Sequence, residues 1–109
     1  MPTYMTQFSY SNKTWAKLIN KPQDRSEYLR RVFTQFGGRL IDFYYSLGEY
    51  DGVVIFETPD EMTGTAILIA VSAADYLRSI KTTKLLTIAE TMDAMHKASA
   101  FGVQGPDNA

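Results

Sequence analysis

The chain has 109 residues, 45% of them apolar, with 11 basic and 12 acidic side chains and a formal net charge of −1. That is enough apolar material for one domain with a single core, which excludes a disordered chain. The charges are scattered without a run of one sign, against a nucleic-acid surface, and the lack of cysteine excludes disulfides and thiolate metal sites.

Pro2 to Tyr10 alternates with period two, placing Tyr4, Thr6, Phe8 and Tyr10 on one face of a first strand. Ser11 or Asn12 can cap a short helix carrying Trp15, Leu18 and Ile19 on one side. Pro22 predicts a break around Asn20 to Gln23. Asp24 then starts a second helical segment, in which Leu29, Val32, Phe33 and Phe36 form a full apolar stripe that Gly37-Gly38 ends.

Arg39 to Leu47 reads as a second strand. Ile41, Phe43, Tyr45 and Leu47 make its stronger apolar face, and Leu40, Asp42, Tyr44 and Ser46 its mixed one. Gly48 and Asp51-Gly52 are expected to supply the positive φ of a hairpin to the strand Val53 to Phe56. Pro59 ends that strand and Asp60 caps a helix from about Glu61 to Ala74. This helix is apolar nearly all round through residues 66–71, which predicts burial on more than one side. The same apolar run is too short to cross a bilayer. Arg78 to Leu86 alternates as a strand whose lysines suit a sheet edge. Thr87 and Glu90 form a capping box for a last helix with Ile88, Met92 and Met95 in a stripe.

The order is strand, helix, strand, strand, helix, strand, then an extra helix. That is an α+β domain over residues 1–100, a ferredoxin-like split βαβ unit (βαββαβ plus a C-terminal helix), followed by a tail over 101–109. Helices on one side leave the second sheet face open. Its Tyr4/Phe8/Tyr10 or Leu40/Tyr44 residues do not suit water, so a homodimer or higher homo-oligomer is expected. No basic-then-apolar leader pattern is present, and a cytoplasmic protein without membrane or nucleic-acid partners is expected.

This order, carrying Gly48-x-Tyr50-Asp51 after Gly37-Gly38 and before Pro59-Asp60, resembles the GYD domain family. The match covers Thr3 to Ala98, and Arg25 and Thr82-Thr83 also resemble the family's pattern. The family comprises small bacterial proteins placed among the dimeric α/β barrels. The resemblance implies a ferredoxin-like fold with sheets paired between subunits. It implies no particular activity, because the wider barrel group spans cofactor-free monooxygenases, lactone isomerases, haem-degrading enzymes and ligand-sensing domains.

Each residue singled out for chemistry has a structural alternative. His96, the only histidine, is the obvious acid, base or haem ligand, or a solvated residue at the edge of its stripe. Tyr50 can line a pocket mouth or pack over the sheet end, and Asp51 can serve a ligand or bond turn amides. Asp42 and Tyr44, two apart, can orient a ligand together or lie at a subunit interface. Arg25 can hold an anion or pair with Asp24, Glu27 or Asp42, and Trp15 can line an aromatic cavity or pack in the core. A single histidine without cysteine predicts no metal site, and no cofactor is expected. Three functions follow: a small-molecule binder or cofactor-independent enzyme with a pocket between sheet and helices, a non-catalytic ligand-sensing or assembly module, or a tautomerase-like enzyme using an amino-terminal Pro2.

Overall fold

The computed structural model describes residues 1–102. The chain runs β1 (Thr3–Tyr10), α1 (Asn12–Asn20), α2 (Arg25–Gln35), β2 (Arg39–Tyr45), β3 (Gly52–Glu57), α3 (Glu61–Ala73), β4 (Leu77–Leu85) and α4 (Ile88–Ser99). The four strands form one sheet in the order β2-β3-β1-β4, with every neighbouring pair antiparallel. Each helical crossover therefore skips one strand: α1 and α2 carry the chain from β1 over β3 to β2, and α3 carries it from β3 over β1 to β4. Most of the expected tail, residues 103–109, lies outside the described residues.

The helix starts follow from local chemistry. Free amides of each first turn are met by a side-chain oxygen: Thr14 N–H donates to Ser11 Oγ at 3.2 Å, Ser26 N–H to Asp24 Oδ1 at 2.9 Å and Thr63 N–H to Asp60 Oδ1 at 2.7 Å. At α4 the capping box is complete, with Glu90 N–H on Thr87 Oγ1 at 3.0 Å and Thr87 N–H on Glu90 Oε1 at 2.9 Å. After α2, Gly37 takes φ +79°, a conformation in which a Cβ is strained.

The core is one aromatic layer between the sheet and α1–α3. Tyr4, Phe8 and Tyr10 of β1 and Val54 and Phe56 of β3 point toward the helices, and all are buried. Phe33 of α2 stacks on Phe56 with ring centroids 4.5 Å apart, and Ile67 of α3 is buried in the same cluster. Because β1 alternates, Met5 and Gln7 turn to the opposite face, where Val53 and Ile55 of β3 join them, all half-buried.

Several expectations are corrected. β2 ends at Tyr45 and Leu47 is fully exposed, so the hairpin loop is longer than the glycine spacing implied. A β-bulge between Leu40 and Asp42 shifts the alternation: Leu40, Phe43 and Tyr45 oppose Phe56, Val54 and Gly52 on the helix side, whereas Asp42 and Tyr44 face away. Leu40 is buried in the core, so Leu40 and Tyr44 do not share a face. Neither Gly48 nor Gly52 has positive φ. Gly52 is required for another reason, since a Cβ there would lie 2.5 Å from the Phe8 ring. On α3 only Gly64 and Ile67 are buried, and Met62 and Ile69 stand in solvent, so its outer side is uncovered. No residue of α4 is buried, and Ile88, Met92 and Met95 are exposed. Among the described residues no helix is long and apolar enough to cross a membrane.

The capping carboxylates give a pH dependence. The Ser26 hydroxyl and amide hold Asp24 below its ordinary 3.8, the Thr63 amide does the same for Asp60, and the Thr87 amide holds Glu90 below 4.5. Depressed folded-state values mean that this stabilisation is present above the ordinary values and is lost as pH falls through the lower, folded ones. Urea midpoints measured from pH 6 to pH 2.5 are expected to hold until about pH 4 and then fall. Replacing all three by their amides is expected to flatten the decline.

Candidate functional site

Two structured places stand out, one at the sheet end and one between sheet and helices. At the sheet end, Asp51 presents Oδ2 to two donors distant in sequence, Tyr10 N–H at 2.9 Å and Trp15 Nε1–H at 3.0 Å. Its own amide donates to Phe8 O at 2.8 Å, and its carbonyl accepts from Ser46 N–H at 2.8 Å. One residue thus joins the ends of β1 and β2 to α1. Trp15 packs edge-on against Tyr10, with centroids 5.1 Å apart, and tilted against Tyr45. The Tyr10 and Tyr45 hydroxyls meet at 3.1 Å. The expectation that Asp51 bonds local turn amides is therefore corrected. In the loop itself it is Ser46 Oγ that donates to Tyr50 O, at 2.7 Å.

The second place is a cavity of about 70 Å³ under the helices. Its wall is mainly apolar, from Phe8, Val54 and Phe56 of the sheet, Leu29 and Phe33 of α2, and Ile67 and Val71 of α3. Four polar side chains also reach it: Thr6, Tyr10, Arg25 and Tyr76. The Thr6 hydroxyl is already satisfied by Thr82 Oγ1 at 2.8 Å.

Arg25 opens α2 and is half-buried. Its Cζ sits 4.8 Å from the centroid of the Tyr28 ring and 5.9 Å from that of Tyr76. The ion pairs among the described residues are Arg39–Glu57 and Lys84–Glu61, and neither involves Arg25. The expected pairing of Arg25 with Asp24, Glu27 or Asp42 is thus not formed, and Asp24 is occupied in capping α2. Burial, and next the Tyr45 hydroxyl, push the Tyr10 phenol far above the ordinary value of 10.0, while Arg25 acts the other way. Tyr76 is also raised, first by burial. Both phenols, protonated at neutral pH as tyrosines ordinarily are, can donate a hydrogen bond.

Of the residues expected to form a site, Arg25 lines the cavity and the others lie elsewhere. Trp15 belongs to the sheet-end junction and to a shallow depression with Leu18, Pro22 and Tyr45. Asp42 and the largely exposed Tyr44 lie on the other sheet face, so they are not brought together with Arg25. Tyr50 is in the hairpin loop. His96 is exposed near the end of α4 and its carbonyl accepts from Ser99 Oγ at 2.7 Å. The Pro2 carbonyl accepts from Thr58 N–H at 3.0 Å, and Pro2 is not in the cavity wall. The residue pattern does not mark Tyr28 or Tyr76 as site residues. Tyr28 lies three residues after Arg25 on one helix, a spacing that puts the two side by side. Tyr76, in the turn before β4, carries no such signal. Among the described residues no group of three histidine, cysteine or carboxylate side chains is placed to hold a metal ion.

The family model of the GYD domain matches residues 4–95. The chain belongs to the GYD domain family. No curated protein matches it. The segment Gly48-Glu49-Tyr50-Asp51 on which the resemblance rested contains the carboxylate that ties the sheet end of this GYD domain together.

Loss of the Asp51 carboxylate leaves two half-buried donors unmet. Asp51→Ala is expected to lower unfolding free energy by about 2–3 kcal/mol, and Asp51→Asn, which keeps an acceptor oxygen, by about half as much. Urea unfolding followed by the fluorescence of the single Trp15 measures both. A loss near zero for the alanine variant would show that the junction holds without its carboxylate.

Proposed function

We propose that this GYD domain binds a small molecule in the cavity between sheet and helices, and that it does so as a homo-oligomer of ferredoxin-like subunits. The observation that carries the binding half is the meeting, on a mainly apolar wall, of two phenols and a guanidinium that has no ion-pair partner among the described residues. A few polar groups converging on an apolar hollow is the usual make-up of a ligand site. Binding is favoured over catalysis, since the described wall residues include no carboxylate, histidine or lysine to move a proton at neutral pH. The strand order, in which both crossovers skip one strand, supports the ferredoxin-like reading. A cysteine-free chain suits the reducing cytoplasm in which we place it.

The oligomer is supported by what the subunit leaves uncovered. Met5, Val53, Ile55 and Tyr44 lie on the sheet face away from α1–α3. The stripe of α4 and the outer side of α3 are also exposed. Packing two sheet faces across a two-fold axis, as in a dimeric α/β barrel, covers the first of these surfaces in both copies at once. An interface of that kind buries more than roughly 1,200 Å² in total.

The two halves are tested separately. In a methyl-resolved NMR fragment screen, hits are expected to move the signals of Leu29, Ile67 and Val71 together. A screen that moves none of them contradicts the ligand site. Sedimentation equilibrium at micromolar concentration is expected to give a dimer or larger species, and Ile55→Asp, which puts a charge on the open face, to shift it toward monomer. A wild-type monomer there contradicts the assembly.

A further inference from the structure

We propose that the cavity ligand is a small aliphatic carboxylate, its branched chain in the apolar hollow and its carboxylate against the guanidinium of Arg25. The inference rests on the reading that the cavity binds a small molecule, and it adds the chemical class.

Arg25 is the starting point. A guanidinium that is half-buried and has no carboxylate partner among the described residues has lost part of its hydration without a counter-charge from them to replace it. Helix stability does not account for the placement. Arg25 is the first residue of α2, where the helix dipole disfavours a cation. The rings of Tyr28 and Tyr76 lie against the group, and no carboxylate of the described residues meets its N–H fork. A carboxylate is the acceptor whose two oxygens match that fork, and charge-assisted pairs of this geometry are the strong ones. The Tyr10 hydroxyl, on the same wall, can donate to the same anion.

The other end of the ligand is set by the hollow. Leu29, Ile67 and Val71 offer methyl groups and no hydrogen-bond partner. A polar or charged tail would lose its hydration there without compensation. A volume of about 70 Å³ is far below that of a drug-sized site and suits a short branched chain. The ordinary binding energy of so few atoms places the dissociation constant in the roughly millimolar range.

The test is a titration of the full-length protein with isobutyrate, isobutyramide and acetate, followed by methyl NMR. Isobutyrate is expected to move the Leu29, Ile67 and Val71 methyls and to bind about ten-fold tighter than the neutral amide. Acetate, which has the charge and lacks the chain, is expected to bind more weakly than isobutyrate. Arg25→Gln, which keeps a polar side chain at the start of α2, is expected to fold and to abolish the preference for acid over amide. Arg25→Lys is expected to retain part of it. Equal binding of acid and amide to the wild type overturns the carboxylate assignment and leaves the cavity as a ligand site. Equal binding of acetate and isobutyrate overturns the aliphatic part. Failure of all three probes to move the cavity methyls overturns this inference; the broader fragment screen then decides separately whether the cavity binds anything.

Discussion

The two hydrogen bonds to Asp51 Oδ2 fix the end of the molecule from which the helical layer starts. β1 ends at Tyr10, and the chain must turn at once into α1. Pairing of β1 with β3 stops two positions earlier, at Phe8 opposite Gly52, and the Asp51 carboxylate meets the Tyr10 N–H instead. The same oxygen holds the Trp15 indole, so α1 is anchored against the sheet through a polar contact and an edge-on aromatic one. With α1 fixed and a short connection through Pro22, the start of α2 brings Arg25 to the cavity wall beside Tyr76. That is how Arg25 comes to stand over the cavity rather than in open solvent.

Packing follows from the aromatic face of β1. Tyr4, Phe8 and Tyr10 are large, and their rings set the distance between sheet and helices. Phe56 and Phe33 fill the middle by stacking. Toward Arg25 and Tyr76 the filling stops short, and a small apolar hollow with a cationic edge remains. Close packing is the rule in protein interiors, so a gap beside a guanidinium with no carboxylate partner among the described residues is a feature that core stability alone does not explain.

Much of this was legible in the residues. The period-two pattern of Pro2 to Tyr10, the caps at Ser11, Asp24, Asp60 and Thr87, and the helix stop at Gly37 are local signals, and local chemistry decided them. What misled was non-local. A bulge after Leu40 cannot be read from alternation, and it moved Leu40 into the core while leaving Tyr44 on the open face. Gly52 looked like a turn residue but is glycine because the Phe8 ring approaches its backbone. The apolar girth of α3 predicted burial on more than one side, and within the subunit only one side of the helix is covered. For the site, Arg25 was visible as a candidate. That no acidic partner meets it among the described residues was not, because Asp24 and Glu27 stand beside it in sequence and Asp24 turns instead to the Ser26 amide and hydroxyl.

The central claim is that the guanidinium of Arg25 has no carboxylate partner among the described residues because a ligand in the cavity supplies one. A crystal structure of the protein at atomic detail, grown with isobutyrate, tests it most directly. Density for the acid is expected between Leu29, Ile67 and Val71, with its carboxylate within hydrogen-bond distance of Arg25. A cavity closed by its own side chains, with Arg25 paired to an acidic residue of the protein, would contradict the account.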